Sequence, residues 1–210
     1  MDNQNEKKQG FFHSFLEYVK ENLDSIIKLF INHIGMMIFS LVVILTAALL
    51  SSKLESDLLF YSAGVLSALM YFSLIYTAMW ERGAKDKIRV DGGRAKKNML
   101  HGLYFYLIAN AIAVLTGVVS LILSFFVTED VSAINNVYGV FRIISHYYSS
   151  MYLPITKLGL EGSSAVVSSL VYIAVILPGA LVSFASYIFG LKGFRCIFPE
   201  PKYDKNRKMR

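Results

Sequence analysis

The chain has little of what water-soluble enzymes are built around. One cysteine, Cys196, occurs in 210 residues, so no internal disulfide can form and no second thiol is at hand for a metal pair. Charged residues make up 17% of the sequence against 55% hydrophobic ones, too few to coat a soluble domain of this size. The beginning lacks the pattern of a secretory leader, a basic start followed at once by a short apolar run. The first apolar run of membrane length begins near His33, and it is expected to be a retained anchor. His13, His33, His101 and His146 show no i, i+4 pairing and no adjoining carboxylate motif, which removes the usual pattern of an intramembrane metalloenzyme. The Gly92-Gly93 turn lacks the GK[ST] spacing of a phosphate-cradling loop. Nothing in these features calls for a cofactor or a metal, and a non-enzymatic protein is expected.

What the chain does have is apolar length. A hydrocarbon core of roughly 30 Å takes about 20 helical residues to cross. Four runs qualify, at about 33–50, 58–79, 100–127 and 163–190, and none contains Asp, Glu, Lys or Arg. Transporters of charged solutes usually keep such a residue at midplane, so proton-coupled transport is disfavoured. The expected fold class is all-α, an integral membrane four-helix bundle.

Sidedness follows from the basic residues, which resist translocation. Lys7, Lys8, Lys20 and Lys28 precede the first run, seven more lie between the second and third, and another seven run from Lys192 to Arg210. The opposite side holds only Lys53, Arg142 and Lys157, so the split is eighteen against three. Both termini are therefore expected in the cytoplasm, with the protein a multi-pass resident of the cell membrane. The segment 137–153 challenges this count, being apolar and rich in tyrosine. A fifth span there would reduce the split to twelve against eight and leave Arg142 in the bilayer, at about 2.5 to 3.5 kcal/mol. Val137, Val140, Phe141, Ile144, Tyr147, Tyr148 and Met151 recur instead at helical spacing, with Asn136, Arg142, Ser145, His146 and Ser149 between them. A short outer amphipathic helix is expected, lying on the surface or folded back against the bundle and ended by Pro154.

At the other end, Phe11, Phe12, Phe15, Leu16, Val19, Leu23, Ile26, Ile27, Phe30 and Ile31 form one helical stripe, opposed by Glu17, Lys20, Glu21, Asp24 and Lys28. This predicts an N-terminal interfacial helix on lipid, or packed on a partner's helix, with a bend near residues 32–35. The chain thus divides into a cytoplasmic tail with its interfacial helix (1–32), a transmembrane bundle (33–190) and a basic cytoplasmic tail (191–210).

The segment 80–99 carries seven basic and three acidic residues and is expected to be a loop. Arg82, Lys85, Lys87, Arg89, Arg94, Lys96 and Lys97 would either anchor the flanking spans or contact anionic headgroups or a protein partner. Nucleic acid is not indicated, because the net charge of +6 is concentrated beside the apolar runs. Pro178 and Gly179 are a candidate helix break that would free the Ala174 carbonyl. Small residues four apart, Gly64 with Ala68, Ala109 with Ala113 and Gly117, and Gly179 with Ser183, allow close helix approach and serve internal packing or a homo-oligomer alike.

Trp80, Glu81, Gly83, Lys85, Asp86, Val90 and Gly102, then Tyr187, Gly190, Lys192 and Gly193, resemble a group of small multi-pass membrane proteins of Gram-positive, Clostridia-like bacteria. The resemblance implies a bacterial plasma membrane and no particular substrate. Three functions follow from the residues. The first is an accessory or scaffold subunit presenting the basic loop; the second is a transporter or channel-like protein for a neutral or lipidic solute, using the 178–179 break with Ser67, Ser73, Thr116 and Ser120. The third is a lipid-acting enzyme with His146, Tyr147 and Glu161, whose register nothing in the sequence fixes.

Overall fold

A computed structural model describes residues 2–127 and 133–194. The tail beyond residue 194 and the side chains of Lys7, Lys8, Phe11 and Phe12 lie outside the described residues. Among the described residues every regular element is helical: α1 (Asp2–Glu21), α2 (Leu23–Leu54), α3 (Leu58–Asp91), α4 (His101–Ala109), α5 (Ala111–Ser124), α6 (Ala133–Tyr148), a 3-10 turn (Ser150–Tyr152), α7 (Leu153–Leu160), α8 (Ala165–Ala174) and α9 (Ile176–Lys192).

Three helices are long and apolar enough to cross a membrane: α2, α3 and α8 with α9 taken together. Counting the bent pair α4–α5 as one more makes four. α2 ends at Glu55, which adopts a left-handed φ of 50° and returns its N–H to the Ser51 carbonyl. That tight reversal lays α3 antiparallel against α2. α9 packs along α3, and α4 packs on α9 and α2. α5, α6 and α8 form a second cluster beside them.

The side-chain distribution departs from that of a soluble bundle in its buried serines and its aliphatic surface. Ser40, Ser67, Ser120, Ser169 and Ser183 are fully buried, while Leu49 is 70% exposed, Leu181 66% and Leu115 63%. In water such a surface would be strongly unfavourable. In hydrocarbon it is the expected one, because lipid tails solvate Leu as well as another helix does and helices associate through small residues.

The α3–α9 contact depends on glycine. A Cβ built on Gly83 would overlap the Tyr187 carbonyl oxygen, and one on Gly190 would overlap the Trp80 carbonyl and lie 2.9 Å from the Ala84 nitrogen. The two backbones therefore touch directly. Gly102 brings α4 equally close, 2.7 Å from the Ser183 carbonyl on the same test, and Ser183 Oγ donates to the Gly102 carbonyl at 2.6 Å.

Four sequence expectations change. The run 100–127 is not one straight helix, because α4 and α5 meet at Asn110 with a bend of 70°. The segment 80–99 is not a loop for most of its length, since α3 continues to Asp91. No break in the helix occurs near residues 32–35; the interruption falls at Asn22, whose Nδ2 donates to the Tyr18 carbonyl, and α2 then runs unbroken. Gly35 has nothing near its missing side chain, so no close contact there demands a kink. Lastly, Pro154 does not end the helix over 137–153. α6 stops at Tyr148, and Pro154 sits in the first turn of α7, where its missing N–H costs no hydrogen bond.

Candidate functional site

Two polar centres stand out, one where α3 emerges from its apolar run and one inside the bundle.

α3 continues from Met79 to Asp91, about 18 Å beyond the apolar run. Helical spacing puts Arg82 and Asp86 on one face, and Arg82 Nε donates to Asp86 Oδ2 at 3.1 Å. The other guanidinium nitrogens reach Asn22 Oδ1 at 2.8 Å and Ser25 Oγ at 3.4 Å, and the group lies 5.5 Å from the centre of the Phe105 ring. Asp86 Oδ2 also accepts from the Tyr187 hydroxyl at 2.8 Å, and that hydroxyl is 3.3 Å from His101 Nδ1. One ion pair thus ties the start of α2 to α3, α4 and α9. Burial works to raise the Asp86 pKa, but His101, Tyr187 and the Arg82 charge outweigh it and hold the carboxyl below its ordinary range. A cavity of about 200 Å³ opens beside this cluster, lined among others by Tyr18, Asn22, Arg89, Lys96 and His101.

The seven basic residues of 82–97 therefore divide. Arg82 points inward and is structural. Lys85 pairs with Glu81 at 2.9 Å, and Lys28 pairs with the same carboxylate. Arg89 lies 3.8 Å from Asp86. Among the described residues no carboxylate comes within ion-pairing distance of Lys87, Arg94, Lys96 or Lys97. His33 and His101, which the sequence places near one interface, do not meet: His101 belongs to the Asp86 cluster and His33 to the second centre.

That second centre forms where three interruptions converge. The Asn110 bend joins α4 and α5, the 3-10 turn separates α6 from α7, and α8 breaks from α9 at Val175. Pro178, without an N–H for the Ala174 carbonyl, stands in the first turn of α9. The segment around the 3-10 turn is held against α2. Tyr148 offers its carbonyl to His33 Nε2 at 3.1 Å, and Ser150 Oγ donates to the Met37 carbonyl at 3.1 Å. Since His33 Nε2 must donate to that carbonyl, a neutral ring accepts at Nδ1 from the Tyr71 hydroxyl, 2.7 Å away. The Tyr106 hydroxyl lies 3.3 Å from that of Tyr71, extending the chain toward α4.

Gly179 takes on a different role from a hinge. A Cβ there would overlap the Tyr106 hydroxyl, so glycine leaves the room in which that hydroxyl sits. Gly179→Ala is expected to push Tyr106 away from Tyr71 and to cost about 1 to 3 kcal/mol, read as a lowered melting temperature in detergent.

The residues offered for lipid chemistry are otherwise engaged. His146 Nδ1 lies 3.0 Å from the Tyr172 hydroxyl, and Glu161 is 3.8 Å from Lys157. Of the hydroxyls named for a solute path, Ser120 Oγ bonds Ser169 Oγ at 3.2 Å, while Ser73 and Thr116 bond carbonyls of their own helices. Sequence reasoning missed Asn110, Ser145 and Tyr152, which face the second centre. An Asn in the middle of an otherwise apolar run was the available signal for the first.

Long apolar helices and an outward-facing aliphatic surface, around an apolar core that also buries serines, are the features of a helical membrane protein. No family model, curated protein or solved structure matches the chain.

Proposed function

We propose that this is a non-enzymatic, multi-pass protein of a bacterial plasma membrane, an accessory or scaffold subunit that presents a basic surface to the cytoplasm. The carrying observation is that α3, latched to α2, α4 and α9, carries Lys87 past its apolar stretch, and that Arg94, Lys96 and Lys97 follow in the short connection to α4, none of the four having a carboxylate partner among the described residues. Anionic headgroups supply one surface for these cations to meet, at about 1 kcal/mol per basic residue, and an acidic partner protein another. The eighteen-to-three distribution of basic residues supports placing both termini and this surface on the cytoplasmic side. α1 has exposed Phe15 and Leu16, which supports an interfacial position for it.

The test is reversal of Lys87, Arg94, Lys96 and Lys97 to Glu, which leaves the Arg82–Asp86 latch alone. The variant should remain monodisperse in mild detergent yet lose the protein or anionic lipid that accompanies the wild-type chain from its own membrane. Unchanged co-purification would remove the proposal's support.

A second reading, a path for a neutral solute, is favoured by the convergence of three helix interruptions on one polar centre. It requires solute flux in proteoliposomes that falls when Asn110 is replaced by Leu.

A further inference from the structure

The interior of the bundle holds polar atoms that the protein itself leaves unanswered. Asn110 Oδ1, Ser145 Oγ and the Tyr152 hydroxyl are fully buried, and none has a hydrogen-bond partner. The residues are 2%, 4% and 6% exposed, and they come from three different elements: the α4–α5 bend, α6 and the 3-10 turn. All three line the same small cavity, which His33, Tyr106 and Tyr172 help to close. Buried orphans normally cost about 1 to 3 kcal/mol each, and three around one space call for an occupant.

We propose that this cavity is a binding site for one ordered water molecule, held jointly by Asn110, Ser145 and Tyr152. Its volume of about 20 Å³ exceeds the roughly 10 to 15 Å³ a water needs and leaves no room for a larger solute. The donor count selects the chemistry. Asn110 Nδ2 already donates to the Tyr106 carbonyl at 3.0 Å, so the side chain turns an acceptor toward the cavity. Ser145 and Tyr152 each bring a hydroxyl with a proton to place. A water donates to the Asn110 oxygen, accepts from both hydroxyls with its two lone pairs, and keeps one proton for a hydroxyl lone pair. A bare cation would satisfy the oxygens and leave two buried O–H groups without acceptors. The site also lacks a carboxylate among its lining residues, so nothing there offsets a full charge.

A shared water couples residues that do not touch, and this gives the test. In full-length protein in lipid nanodiscs, Tyr152→Phe removes one hydroxyl and nothing else. It should lower the melting temperature by several degrees in the wild-type background and by clearly less in Ser145→Ala, where the water has already lost a partner. The helix preference of alanine is common to both arms of that comparison and cancels. A Tyr152→Phe change that leaves the melting temperature unchanged or raises it would mean a dry cavity whose orphan hydroxyl was a burden. An effect no smaller in Ser145→Ala would mean that no molecule joins the two residues. Either outcome overturns the proposal. A second measurement needs no variant: hydroxyl radicals generated from water by X-ray pulses should modify Tyr152 despite its burial, and an unmodified Tyr152 in the folded protein rejects the site.

Discussion

Gly190→Val is expected to abolish the folded state in detergent, seen as loss of a monodisperse peak and of a cooperative melt. The reason is the nature of what valine would meet. Ordinary overpacking costs about 1 to 3 kcal/mol, because neighbouring side chains find other rotamers. At Gly190 the neighbours are backbone: the Trp80 carbonyl, the Ala84 nitrogen and the Gly83 Cα. None can move without shifting α3 as a whole. That shift would also pull apart the Gly83–Tyr187 contact and the Tyr187–Asp86 hydrogen bond. A loss well above 3 kcal/mol follows. Gly35→Val is the matched control, since open space surrounds that glycine and the fold should tolerate the change.

Asp86→Ala should be the next most damaging change. It leaves Arg82, at 16% side-chain exposure, without its carboxylate and takes an acceptor from Tyr187. Removing one partner of a buried pair costs about 3 to 5 kcal/mol, chiefly because the remaining charge is stranded. Here Asn22 and Ser25 still accept from Arg82, so the lower end of that range is expected, with Asp86→Asn milder again. The pH dependence has a definite sign. Because the folded carboxyl is held below its unfolded value, its contribution is fully present above the unfolded pKa of about 3.9 and disappears as pH falls through the lowered folded one. Wild-type stability attributable to this cluster should therefore stay level from neutral pH down to about 4 and drop below it. In Asp86→Ala that acid-side drop should shrink, which chemical denaturation at a series of pH values would measure.

The long helices were legible because hydrophobic run length is a direct reading of what a bilayer demands, and α2 and α3 fall on their apolar runs. The errors have different causes. Hydropathy averages over a window and cannot see where a single polar residue redirects the backbone. Asn110 is surrounded by apolar residues, so its 70° bend left no trace in the average. The extension of α3 was misread for the opposite reason, since its charges suggested a loop. Yet Glu81 with Lys85 and Arg82 with Asp86 are i, i+4 pairs, the spacing at which opposite charges support a helix. Pro154 was taken as a stop when proline suits a helical first turn equally well. The cluster around Asp86 was out of reach, because its members lie as much as 101 residues from that carboxylate and only the packing of α2, α4 and α9 on α3 brings them together. Gly83 and Asp86 of α3 meet Tyr187 and Gly190 of α9 there.

That separation has a consequence for how the protein is made. At about 5 to 20 residues per second, roughly 5 to 20 s pass between synthesis of Asp86 and synthesis of Tyr187. During that interval α2 and α3 are already complete, while the glycine face of α3 has no helix against it and the carboxylate lacks its tyrosine. The nascent chain thus waits in the membrane with its main internal contact unmade, open to insertion factors or to proteolysis until the last span arrives. Slowing degradation during that wait would act on yield without touching the finished molecule.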